Sequence, residues 1–207
     1  MTPVSSARGP AATWTLYFAP GTCSLAPHIL LREAGLHADL VEVDIASRRT
    51  AAGDNYTQVN PRGYVPALRC PDGRLLTENV AVCDWIAQQS PQLAPATAWE
   101  RTSQLEWLAF ASTELHKPFI RYFFTGSEAE RSELDASLRE RFVQVARRLA
   151  GEHLAGARYG AADALMYVML RWARNAGLAV PDTLAAYRDR IEARAAVQAA
   201  LQHEGQA

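Results

Sequence analysis

The chain has 207 residues, 49% of them hydrophobic, which suffices for one large or two small domains with a real core, and its formal net charge is −1. A balance so near neutral points to no nucleic-acid and no anionic-membrane partner, and no run approaches the roughly 18 uninterrupted apolar residues of a membrane span. The three cysteines, Cys23, Cys70 and Cys83, match neither a zinc framework nor a CxxC pair, and their odd number does not suit a disulfide scaffold, so no metal and a reducing, cytoplasmic setting are expected.

Residues 1–13, MTPVSSARGPAAT, are small and proline-rich without the apolar core of a secretory signal, and are expected to form a flexible tail. Thr15 to Phe18 then reads as a strand, Pro20 and Gly21 break it, and Ser24 to Ala34 shows apolar residues at helical spacing, with Ser24 as N-cap, Pro27 in the first turn and Gly35 as the stop. Ala38 to Asp44 is a short strand. Ile45 to Tyr56 reads as a weakly amphipathic helix, and Asn60 to Pro66 as a loop. Ala67 to Cys70 and Arg74 to Thr77 make a hairpin about Asp72-Gly73, and Glu78 to Gln89 returns to helical spacing. The order is β-α-β-α-β-β-α over residues 14–89. Residues 90–97 carry two prolines and no periodicity and read as a linker.

Residues 98–207 show only helical patterns. Trp99 to Phe124 is one run that Pro118 should kink or end near Lys117, and Glu128 to Gly151 follows. Ala162 to Ala176 is apolar on nearly every side, which marks a central helix. Asp182 to Arg194 and Ala195 to His203 are shorter, surface-facing helices. Within this plan Cys23 is the candidate reactive centre. It lies where a strand hands over to a helix, and there the helix dipole and free N–H groups favour a thiolate. Cys70 and Cys83 read as buried hydrophobes, and His28, His37, His153 and His203 show no partner pattern.

A β-α-β-α-β-β-α module with cysteine at its first strand-to-helix turn, followed by helices, resembles the glutathione transferases. The phrase LYFAPGTCSLAPHILLREAGL is similar to the bacterial beta class, and NPRGYVPAL (Asn60–Leu68), LLTENVAVCDWIA (Leu75–Ala87), EWLAFASTELHKPF (Glu106–Phe119) and LRWA (Leu170–Ala173) agree with it. The resemblance implies a thioredoxin-like α/β domain plus an all-α domain, glutathione as co-substrate with no other cofactor, a small hydrophobic electrophile, and a homodimer. It implies that Cys23 faces the glutathione sulfur and that His116 stands near it as the second catalytic residue. It gives Val65, ahead of a cis proline, the backbone pairing to the cysteinyl part, Glu78 and Asn79 the γ-glutamyl group, and Arg48 the glycyl carboxylate. Thr113, Glu114 and Lys117 are implied as further glutathione contacts, and Trp172 as a border of the second-substrate pocket.

Two positions depart from the family pattern. Gly160 stands where a Ser or Thr commonly caps the core helix ahead of Asp163, so a weaker cap and lower stability are expected. Ala109 stands where relatives carry an asparagine that reaches glutathione across the dimer, so one such contact should be missing. The implied activity is conjugation of glutathione to small electrophiles, alongside thiol-disulfide exchange through Cys23, which has no resolving cysteine at the CxxC position. The alternative is a non-catalytic protein of the same fold that binds hydrophobic ligands or a protein partner.

Overall fold

The computed structural model describes residues 13–207. The expected tail therefore lies outside the described residues except for Thr13, whose hydroxyl donates to Asp39 Oδ2 at 2.8 Å. Strand β1 (Trp14–Phe18) alternates as a strand covered on both faces must: Leu16 and Phe18 are buried in the main core, while Tyr17 joins a smaller cluster with Val43, Tyr56 and Ala67. Helix α1 (Leu25–Glu33) leads to β2 (Ala38–Asp44), which runs parallel to β1 with Leu16 opposite Leu40. On the other edge β4 (Ala67–Arg69) and β5 (Leu75–Thr77) form the expected hairpin, and β4 pairs antiparallel with β1. With β3 (Arg49–Thr50) outermost, the five-stranded order is β3-β2-β1-β4-β5, a thioredoxin-like mixed sheet.

The helix expected over Ile45 to Tyr56 does not form. Asp44 accepts the Ala46 N–H at 2.9 Å and the Ser47 hydroxyl at 2.7 Å, and this local turn outcompetes a helix of weak periodicity. Arg48 follows with φ 56°, and the chain folds back so that Thr50 pairs with Val43. Only one 3₁₀ turn remains, Tyr56–Gln58, capped by Asn55.

Helix α2 (Asn79–Gln88) packs beside α1, and α1 also packs against α6 and α8 of the helical half, so α1 is the seam of the molecule. The helical half comprises α3 (Ala98–Phe110), α4 (Lys117–Phe124), α5 (Glu128–Arg148), α6 (Ala161–Asn175), α7 (Asp182–Glu192) and α8 (Ala195–His203). The disturbance at Pro118 falls one turn earlier than Lys117. Ala111–His116 is a π-helical segment in which the Lys117 N–H bonds to Ser112 O, because Pro118 has no N–H for the Glu114 carbonyl and its ring would crowd that oxygen in a regular helix. Helix α6 is buried without interruption from Ala161 to Ala173, as its all-round apolar character requires.

The cap hydroxyl is absent at Gly160, as expected, but the helix end is not left open. Asp163 keeps its half of the capping box, with Oδ2 accepting the Gly160 N–H at 2.9 Å, and its Oδ1 accepts the Leu154 N–H and the Tyr187 hydroxyl. The missing hydroxyl is replaced from another helix: Gln104 of α3 is buried and its Oε1 accepts the Ala161 N–H at 2.8 Å. A Cβ on residue 160 would lie 2.7 Å from that same oxygen, so glycine is what admits the substitute cap. The two positions form one device. Gly160→Ser is expected to give no gain in stability in the wild-type protein, and to recover about 1 kcal/mol when Gln104→Ala has removed the substitute cap. Urea denaturation of the four-member cycle measures this; equal gains in both backgrounds would refute the coupling.

Candidate active site

Cys23 sits in the turn between β1 and α1, but the turn is built differently from the expectation. Ser24 occupies the cap position without capping: its hydroxyl donates to Ala19 O at 3.2 Å and accepts the Ala19 N–H at 3.1 Å, lacing residues 19–24 into a closed loop. The first amides of the helix are also spent, with Leu25 N–H on Thr22 O and Ala26 N–H on Cys23 O. The helix N-terminus therefore offers the sulfur little, and Cys23 is only 7% exposed. Burial pushes its thiol up to about 12; its own amide and Asn79 pull the other way with less effect, and the nearby Glu78 carboxylate adds to the rise. The thiolate expected from dipole reasoning is thus corrected to a protonated thiol, whose Sγ points at Val65 O from 3.8 Å.

Gly21, two residues earlier, is gripped on both sides of its backbone. Its N–H donates to Glu204 Oε2 at 2.9 Å, and its C=O accepts Trp172 Nε1 at 2.9 Å. Its φ of 71° favours glycine, and a Cβ there would lie 3.2 Å from Gln206 Oε1. Glu204 is buried and its other oxygen meets His28 Nδ1 at 2.8 Å, while Arg32 reaches His28 Nε2 at 3.0 Å and His203 stacks edge-on against the same ring. His28 and His203, which show no partner in the sequence, are therefore partnered. Their signal was hidden because Glu204 is 176 residues from His28.

Facing Cys23 is the loop from Asn60 to Pro66, where the Val65–Pro66 bond is cis, as the family resemblance implied. Arg48 leans over this loop, its Cδ and Nε lying 3.1 Å from where a Cβ on Gly63 would be. Glu78 stands at the start of α2 with φ 67°, a costly conformation for a residue with a Cβ, and its exposed carboxylate pairs with Arg62 at 2.7 Å. Asn79 ties α2 to the cysteine turn, with Nδ2 donating to Cys23 O at 2.9 Å. Cys83 does more than fill space: its thiol reaches Asn79 Oδ1 at 3.3 Å and so sets which way the amide points. Cys23, Val65, Glu78 and Asn79 thus converge on one place.

His116, at the end of the π segment, stacks on Trp172 with ring centroids 5.4 Å apart. Through the Trp172–Gly21 bond it is linked to the cysteine turn. Burial lowers its pKa to about 4, and the neighbouring Lys117 ammonium adds to the fall, so the ring is neutral at pH 7. Trp172 is buried, and Phe119 and Phe123 meet it edge to face. Thr113 and Glu114 find partners within the helical half: Thr113 Oγ1 donates to Ala109 O, and Glu114 accepts Arg141 Nε at 2.9 Å.

These features are a thioredoxin-like sheet, a cysteine in its first turn facing a cis-proline loop, and a helical half locked onto that turn. The family model for the glutathione S-transferase N-terminal domain matches residues 21–89. The chain is 41% identical over 197 residues to glutathione S-transferase GstA of Escherichia coli O157:H7, an alignment spanning 92% of this chain and 98% of that protein. Two solved structures superpose over most of both chains. One is a ternary complex of BphK, a bacterial GST (44% identity, TM-score 0.88, covering 92% of this chain and 99% of that one). The other is the bacterial beta-class glutathione S-transferase of Sphingomonas chungbukensis (37% identity, TM-score 0.85, covering 93% and 100%). The chain belongs to the glutathione S-transferase family, with bacterial beta-class enzymes among its structural neighbours.

The two pKa directions have opposite consequences for stability. A histidine held below its ordinary value binds fewer protons in the folded state, so its contribution is present above about pH 6.5 and is lost as pH falls through about 4. His116→Gln should therefore lose less stability than wild type between pH 7 and 4.5, by a difference on the order of 2 kcal/mol, measured by urea denaturation at the two pH values. Identical losses would place the ring in contact with water.

Proposed function

We propose that this enzyme binds glutathione against Val65, Glu78 and Asn79 and transfers its sulfur to a small hydrophobic electrophile. The observation that carries the reading is geometric: the Cys23 thiol points at the Val65 carbonyl from 3.8 Å while Asn79, at the start of α2, donates to Cys23 O at 2.9 Å. The fit to glutathione is chemical. Val65 offers backbone polar groups that a cysteinyl residue pairs with as an added strand. The start of α2 suits the γ-glutamyl carboxylate, and Glu78 suits its ammonium group. Arg48 beside Gly63 is placed for the glycyl carboxylate, with Lys117, Thr113 and Glu114 as outer contacts of the same ligand.

In this reading glutathione supplies the ionisable sulfur. The Cys23 thiol donates a hydrogen bond to the glutathione thiolate, and His116, neutral at working pH, adds a second polar contact. The sulfur attacks the electrophilic carbon, a C–S bond forms, and the leaving group departs with its electron pair. Exchange chemistry is the second reading, favoured by the presence of a cysteine at this turn: the Cys23 sulfur, once its proton is lost, attacks the glutathionyl sulfur of a glutathione mixed disulfide and expels the substrate thiolate. A second glutathione attacks the resulting Cys23–glutathione disulfide, releasing oxidised glutathione and the Cys23 thiol. We further propose a homodimer, a detoxifying role, a division into residues 14–89 and 98–207 joined by 90–97, and a cytoplasmic location. No helix of the described residues is long and apolar enough to cross a membrane.

Conjugation of a generic aromatic halide and reduction of a glutathione mixed disulfide should both be measured for wild type and Cys23→Ala. The variant is expected to bind glutathione, to lose disulfide reduction, and to lose about tenfold in conjugation kcat/KM, the worth of one hydrogen bond to a charged sulfur. Wild-type protein that binds glutathione but is inert in both assays would instead support the non-catalytic binding protein.

A further inference from the structure

The backbone ahead of Val65 is held by two buried side chains, those of Tyr56 and Asn60. Tyr56, wholly buried at the start of the 3₁₀ turn, donates its hydroxyl to Tyr64 O at 2.8 Å. Asn60, also buried, donates Nδ2 to the same oxygen at 2.7 Å. Both donors are themselves fixed. The Tyr56 ring packs against Tyr17 under the sheet, and Asn60 is held by Arg62 N–H on its Oδ1, by its own N–H on Tyr56 O, and by Gly63 N–H on its C=O.

This geometry dictates where Val65 faces. The Tyr64–Val65 peptide is trans, because the cis bond in this loop is the one that follows. In a trans peptide the C=O and the next N–H point in opposite directions. Pulling Tyr64 O inward to Tyr56 and Asn60 therefore turns the Val65 N–H outward. An independent constraint agrees: a residue before proline is restricted to extended conformations, in which its own N–H and C=O lie on the same edge. The C=O edge of Val65 is the one that the Cys23 thiol points to from 3.8 Å. Both of Val65's polar groups are thus aimed at the space beside the cysteine.

We propose that Tyr56 and Asn60 are positioning residues for glutathione, acting through the Tyr64 carbonyl to hold the Val65 N–H toward the ligand. The proposal rests on the glutathione reading above for its ligand, but the aim of the Val65 amide is a property of the free protein. Such residues raise affinity without touching the reacting sulfur, so their loss should fall on binding and spare the chemical step.

Tyr56→Phe removes one hydroxyl and keeps the ring. It is expected to raise the calorimetric Kd for reduced glutathione, and the KM for it, by about three- to tenfold, with kcat at saturating glutathione within twofold of wild type. Asn60→Asp, an isosteric change that puts an acceptor where the donor was, should have the larger effect in the same direction. Where Asn60→Asp does not fold, Tyr56→Phe carries the test alone. A Tyr56→Phe protein with unchanged Kd and KM, or one whose kcat falls in parallel with its affinity, overturns the proposal. Failure of wild type to bind glutathione would remove the functional reading, and the positioning claim is then decided in the free protein. There the Val65 amide resonance of ¹⁵N-labelled Tyr56→Phe should shift more than the amides of α5, and an unshifted Val65 overturns it.

Discussion

The peptide group of Gly21 is the constraint on which the arrangement of the site depends. Its N–H is held by Glu204 and its C=O by Trp172, residues 183 and 151 positions away in the chain. Both come from the helical half, so the turn that carries Cys23, already closed by its own Ser24 and Ala19 bonds, is braced by that half. Glu204 binds the turn at a cost, because a buried carboxylate must be fully hydrogen-bonded to be tolerated. It meets this demand with Gly21 on one oxygen and His28 on the other, and Arg32 completes the chain toward the surface.

Burial of individual groups sets the electrostatics beside this turn. Cys23 and His116 are both pushed toward their neutral forms, the thiol upward and the imidazole downward, with desolvation the first cause in each case. Free amides at a helix N-terminus lower a cysteine, but here the first of them are bonded to the Thr22 and Cys23 carbonyls within the turn.

Several positions show a polar requirement met by an unrelated side chain. Gln104 reaches across from α3 to cap α6, which lacks a hydroxyl at Gly160. The Asn79 amide, oriented by the Cys83 thiol, fastens the cysteine turn to α2. In both cases a buried backbone group needs a partner, and the identity of the residue that supplies it matters less than its reach.

The order of strands and helices, the hairpin at Asp72-Gly73, the buried character of α6 and the placement of Cys23 at a strand-to-helix turn could all be read from the sequence. Each depends on periodicity or turn chemistry within a few residues. The missing helix at 45–56 was decided by Asp44 side-chain bonds that outweigh weak periodicity, and the π segment by the reach of Pro118 back to a carbonyl four residues earlier. The motifs also pointed to the residues that converge at the site, but not to its electrostatics. Local sequence placed a cysteine beside a helix dipole and argued for a thiolate. Only the packed structure shows that Cys23 is buried beside helical amides already bonded within the turn, that His28 and Glu204 are partners, and that Tyr56 and Asn60 share the Tyr64 carbonyl. The physical reason is the same throughout: desolvation and long-range hydrogen bonds depend on which distant segments meet, and that is decided by the tertiary fold alone.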